Sequence, residues 1–379
     1  MFPRLFGTLL PVALVAACDL ADPARPDHMP IGERSVAVPQ GFQAVALPLA
    51  DLSRGRAEAV NIHGDAVGWV RGDGPWRAAM WTGGALVLLD GLSEAGNSRA
   101  TDLNDAGVVV GWAEDAQGRQ RAVRWIDGIP EDLGTLGGEE AAALGINRSG
   151  QIVGVSETEG ELQAFVWDEG TFTALPPGPA AAFAYAEDIN DHGVVVGWSG
   201  GGGVVTQDAT VWIDGVPARL PPLAYETAAW AINQRGEIVG GSNPDYQFDG
   251  RGVRWVDGAV EDLPTPPDVE GSSASDINDR GQIVGFAGGA AVWTARGFRR
   301  VDEGYGWGIN DRGDVVGERA LVPVLWRRRG QDLVRIRPPR GPSATPLPTG
   351  SAPVALRSPT SLCRESGIVT PGVRALCGR

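Results

Sequence analysis

The residues able to do chemistry are unevenly supplied. His63 and His192 fall at the same place in a repeated turn, and His28 stands alone near the N-terminus. Equivalent turns belong to different structural units, so these residues build neither a zinc site nor a Ser-His-Asp relay. Carboxylates are abundant, with 47 Asp and Glu in the chain. Acid–base work by carboxylates needs two of them brought together so that one keeps its proton and the other does not, and spacing along the chain does not reveal that. The most ordered carboxylates lie in D-x-N-D-x-G at 102–107, 188–193 and 276–281. A calcium loop takes oxygens at positions one, three and five. Position five here is Ala106, His192 or Arg280, so no metal is expected and turn chemistry accounts for the motif.

Aromatic residues offer a different function, the stacking of a sugar or the anchoring of a partner. Trp69, Trp112 and Trp198, with Phe286, follow a repeated Gly. Trp230 and Trp307 read as strand starts near the same end of their units, and Trp76, Tyr246 and Phe248 sit in loops there. Together they form a candidate ligand-binding rim. The competing reading is that the strand positions pack between neighbouring units, since Trp is mostly buried.

The elements that must position these groups are repeats. Asn recurs at 61, 104, 147, 190, 233, 278 and 310, always with Gly three residues on, Val six on and Gly seven on. A Trp follows in every unit, at 81, 125, 167, 212, 255, 293 and 326. Asn-x-x-Gly is hairpin chemistry: the Asn side chain bonds turn amides and Gly supplies a positive φ. The wholly apolar run after it is a strand buried on both faces. A second turn, often Asp-Gly, follows the Trp. Each unit is thus a four-stranded meander, and units of about 40–45 residues are β-propeller blades. The chain is expected to be all-β, with seven blades. Either AVALPL (44–49) or LVRI (333–336) supplies a strand to complete a blade. Strand parity places the Asn and Asp-Gly turns on one uniform face and the variable connections on the other, which makes the variable face the better site for ligands.

The flanks set the location. LFGTLLPVALVAA after one Arg reads as a signal peptide over residues 1–17. Its end, V-A-A-C, resembles the lipobox of bacterial lipoproteins, which implies lipidation of Cys18, a linker over 18–38 and a chain held at the membrane in the cell envelope. The repeat domain spans 39–337. A Pro-rich tail, 338–379, holds Cys363 and Cys377, expected to pair as a disulfide because an exported compartment permits one. The net charge of −15 excludes a nucleic-acid partner.

The repeat resembles a bacterial family of extracellular repeats, the HAF family. I-N-D-x-G stands at 189–193, 277–281 and 309–313, A-F-x-W at 164–167 and D-L-G-T-L-G-G at 132–138. The family's His is replaced here, with Arg77, Arg121 and Gln163 near its place. The resemblance implies export and a repetitive β fold. The resulting expectation is a monomeric, non-catalytic binding or interaction module, no enzyme and without cofactor, that takes a polysaccharide or an envelope protein on its variable face. The alternatives are an exported propeller enzyme, a glycan or peptide hydrolase or lyase using Asp and Glu in the central pocket, and a passive scaffold. Converging carboxylates in the channel would favour the enzyme.

Overall fold

The computed structural model describes residues 41–328, apart from 202–206, 225 and 244–249. Cys18, Cys363, Cys377, Tyr246 and Phe248 lie outside the described residues, as do the 18–38 linker, the 338–379 tail and the 333–336 segment. Seven four-stranded antiparallel sheets make up the structure, a seven-bladed β-propeller. Blade one contains Arg54–Val60, Ala66–Arg71, Arg77–Thr82 and Ala85–Leu88, from innermost to outermost. Blades two to six repeat the same meander in chain order. Blade seven differs: its three later strands are joined on the outside by Phe42–Ala46, which pairs antiparallel with Val322–Arg328. The upstream segment therefore completes the last blade and closes the ring.

The second strand of each blade is the apolar run after the Asn turn, and it is buried throughout. Seven apolar cores lie between adjacent blades, so each blade stabilises its neighbours. The seven repeat Trp residues sit in or beside these cores at 0–3% exposure. Six also staple one blade to the last: Nε1 of Trp81, Trp125, Trp212, Trp255 and Trp293 donates to the carbonyl of Pro48, Asp90, Pro176, Pro221 and Pro264, and that of Trp326 to an Asp302 carboxyl oxygen.

The repeated Asn joins the blades at the axis. Its Oδ1 accepts two amides of its own turn, as Asn190 does from His192 and Val194. Its Nδ2 then donates to the backbone oxygen of the next blade's Asn, in six steps from Asn104 round to Asn310, which reaches Asn61 at 2.8 Å. Asn61 instead donates to Asp65 Oδ2. The buried Asn is thus kept by a ring of bonds that no apolar residue could make.

Candidate functional site

Every innermost strand carries a β-bulge at the residue three before its Asn, with register shifts in all seven blades. The bulge residues are Glu58, Thr101, Leu144, Glu187, Trp230, Ser275 and Trp307. The bulge also explains the second repeated Gly. A Cβ on Gly197 would lie 2.0 Å from the Tyr185 carbonyl oxygen, and the other six blades show 1.9–2.1 Å at the same place. A bulge breaks the alternation of side chains and re-aims them. So Glu187 and Asp188, adjacent in sequence, both meet other groups of the channel.

Two sets of polar groups result. Nearer the variable face, Glu58 Oε1 lies 3.0 Å from Arg99 Nη2 of blade two and 3.7 Å from Arg56 Nη1. Arg56 Nε lies 3.7 Å from Glu318 Oε2 of blade seven. Glu187, from blade four, accepts from Trp198 Nε1 at 2.8 Å. Burial pushes its carboxyl up to about 7, with Trp198 and Arg99 pulling the other way and Asp188 adding to the rise. Small residues make room for both glutamates: a Cβ on Gly145 would come 2.9 Å from the Glu187 carbonyl, and one on Gly308 2.7 Å from that of Glu58.

Deeper toward the Asn turns stand Asp102, Asp188 and Asp276, on blades two, four and six. Each accepts the following residue's amide on one oxygen and an amide of the next blade on the other, at 2.8–3.0 Å: Ile146, Ile232 and Ile309. Burial raises Asp188 to about 6 and Asp276 to about 7 against these hydrogen bonds, and the negative charge of Asp188 raises both partners. Asp102 is raised well above the usual range, first by burial. Asp188 also lines a funnel of about 200 Å³ that opens on the Asn-turn face. That space lies on the uniform face, where the sequence pointed to the variable one. The outer Asp residues of D-x-N-D-x-G serve there as straps, for example Asp191 Oδ1 accepting from Arg148 N at 2.9 Å.

The aromatic candidates come together in part. Trp69 stacks on Trp76 with centroids 5.3 Å apart, and Trp76 lies 6.5 Å from Trp112. Trp198 stacks on Tyr185 at 4.3 Å, and one apolar cluster holds Trp76, Trp112, Tyr185, Trp198 and Trp230. The Arg56 guanidinium lies over Trp307 at 4.5 Å and near Trp69 at 5.9 Å. Trp69, Trp112 and Trp198 are only 7%, 2% and 5% exposed, so packing accounts for most of their surface. Trp230 and Trp307 do not start their strands. They are bulge residues within Glu226–Ile232 and Tyr305–Ile309. The indole N–H groups of Trp112 and Trp307 are buried and, among the described residues, meet no acceptor.

The sequence reading missed Arg56, Glu58, Arg99, Glu187 and Glu318. A signal was present: within a frame of constant small and aliphatic residues, the positions three and five before the Asn vary freely from blade to blade.

Neither a protein-family model nor a curated protein matches the chain significantly. Solved structures do. A streptogramin B lyase is 12% identical over 76% of this chain and 98% of its own, with a TM-score of 0.53. A gluconolactonase from Xanthomonas campestris is 13% identical over 80% and 96%, at 0.40, and a puromycin-hydrolysing peptidase from Mycobacterium tuberculosis 14% over 68% and 47%, at 0.49. At such identities the likeness to the lyase speaks for the shared propeller. The expectation of no enzyme is nevertheless corrected: the propeller this chain shares is also that of a lyase, and the channel carries buried carboxyls that raise one another, where an empty lining of Gly and Val would have counted against an enzyme.

Proposed function

We propose that the protein is an exported propeller enzyme, a hydrolase or lyase acting on glycans or peptides with the carboxyls of its central channel. The observation that carries this reading is the pair Glu187 and Asp188, two adjacent acids held near 7 and near 6. A group titrating near the working pH can both give and take a proton, which is what general acid–base catalysis requires. Glu187 is the proton-transferring group, fixed by Trp198 Nε1. Arg99, whose charge acts on Glu187, and Glu58, paired with Arg99 at 3.0 Å, orient the reacting bond. Asp188 holds a second negative charge or proton at the base of the funnel. The lipobox at Cys18 supports a place in the cell envelope, where such polymers occur.

The test is product formation. The protein and its Glu187→Gln variant are incubated with envelope polysaccharides and with peptides, and the products are read by mass spectrometry. Cleavage by the parent and a loss of at least about 100-fold in the variant is expected, the usual worth of a general acid or base. Equal rates in both, or no product from either polymer class, overturns the reading.

A further inference from the structure

We propose that the variable-face end of the channel binds an uncharged sugar residue, hydrogen-bonded by the Arg56–Glu58–Arg99–Glu318 cluster and by the Trp112 and Trp307 N–H groups. This rests on the reading above and narrows it from glycans or peptides to neutral saccharides. Three features carry it. The first is charge pairing: Arg99 stands against Glu58 at 3.0 Å and Arg56 between Glu58 and Glu318 at 3.7 Å, so each guanidinium already has a carboxylate. A ligand with net charge would unbalance a cluster whose side chains are only 8–14% exposed, and an unpaired charge is costly there. A polyhydroxylated neutral ligand gives an acceptor to each donor and a donor to each acceptor without adding charge.

The second feature is the surround of flat rings. Trp76, Trp230, Phe286, Tyr305 and Trp307 are partly buried. Phe286 stacks on Tyr305 at 4.6 Å and Tyr305 on Trp307 at 6.0 Å. Aromatic faces match the C–H faces of a pyranose and leave its hydroxyls free to bond in the plane. The third is the pair of orphaned donors. Buried indole N–H groups nearly always have a partner, as that of Trp198 has in Glu187. Among the described residues, the buried N–H groups of Trp112, opposite Arg99 in its strand pair, and of Trp307, under the Arg56 guanidinium, have no acceptor. A sugar hydroxyl or ring oxygen would satisfy them. A peptide would instead need an open strand edge, and the inner strands present bulges here.

Binding is measured by calorimetric titration of the full chain with neutral hexasaccharides of glucose, xylose, mannose and N-acetylglucosamine, and with hexagalacturonate as the acidic probe. At least one neutral probe should bind saturably, with little dependence on salt. Trp307→Phe and Trp112→Phe, which keep the ring and remove the donor, should each weaken it about five-fold, the worth of one hydrogen bond. Binding of hexagalacturonate alone, saturable binding by no neutral probe, or neutral binding that both folded variants leave unchanged overturns the proposal. Sugar binding with full turnover by Glu187→Gln would instead sink the enzyme reading. Turnover of peptides without sugar binding would sink only this one.

Discussion

Asp276→Asn tests whether the channel carboxyls are strained by burial. Asp276 is raised from 3.8 to about 7. The folded chain therefore holds this proton more tightly than the unfolded chain, and the stability tied to it is complete below about pH 4 and lost as pH rises through 7. Between pH 5 and pH 8 those two values imply a loss on the order of 3 kcal/mol. Asp276 is half-buried, not sealed off. Solvent there screens the charge, and under half of that figure, ~1 kcal/mol, is the realistic size. Asn cannot ionise, but it gives up one of two acceptors, for Ile277 and Ile309, at a cost of about 1 kcal/mol. The variant should thus be the less stable form at pH 5 and draw level with the parent by pH 8. Urea midpoints of both proteins across that range measure it. Subtracting one curve from the other removes the general effect of the −15 net charge. Parallel curves would refute the reasoning.

Gly197→Ala should lower stability by at least about 3 kcal/mol or prevent folding, because the new Cβ meets the Tyr185 carbonyl at 2.0 Å and only removal of the bulge relieves it; thermal unfolding reads this. Asn190→Ala removes three bonds, two within its turn and one to Asn233, and should cost about 2–4 kcal/mol by urea denaturation. Trp198→Phe takes away the donor that holds Glu187 down, so the midpoint of any activity profile that Glu187 governs should move to higher pH, whereas Asp188→Asn removes a charge that raises Glu187 and should move that limb to lower pH.

The fold could be read from the chain because its determinants are local and repeated. Asn190, Gly193 and Gly197 each answer a requirement within one hairpin, and seven copies make the requirement visible. Trp212 was readable as packing for the same reason. The channel chemistry was not, since Glu58, Arg99 and Glu187 come from blades one, two and four and are joined only by the ring. Their side chains are also re-aimed by a bulge that strand alternation does not foresee. Burial between blades claims most of each ring in the expected rim of Trp69, Trp112 and Trp198.

The carboxyl-to-amide bonds of Asp102, Asp188 and Asp276 couple the blades in twos: two with three, four with five, six with seven. Seven is odd, so one blade is left without a mate, and it is blade one. Near the Asn turns it is tied instead by Ile62 N donating to Asp105 Oδ1 on one side and Asn310 donating to its Asn61 carbonyl on the other, and nearer the variable face by the ion pairs Glu58 to Arg99 and Arg56 to Glu318. Its Asn61 is also the one that turns inward to Asp65 instead of reaching forward. Parity therefore places the one blade without such a partner where a substrate would arrive. Whatever engages Arg56 and Glu58 therefore touches the groups that join blade one to both of its neighbours.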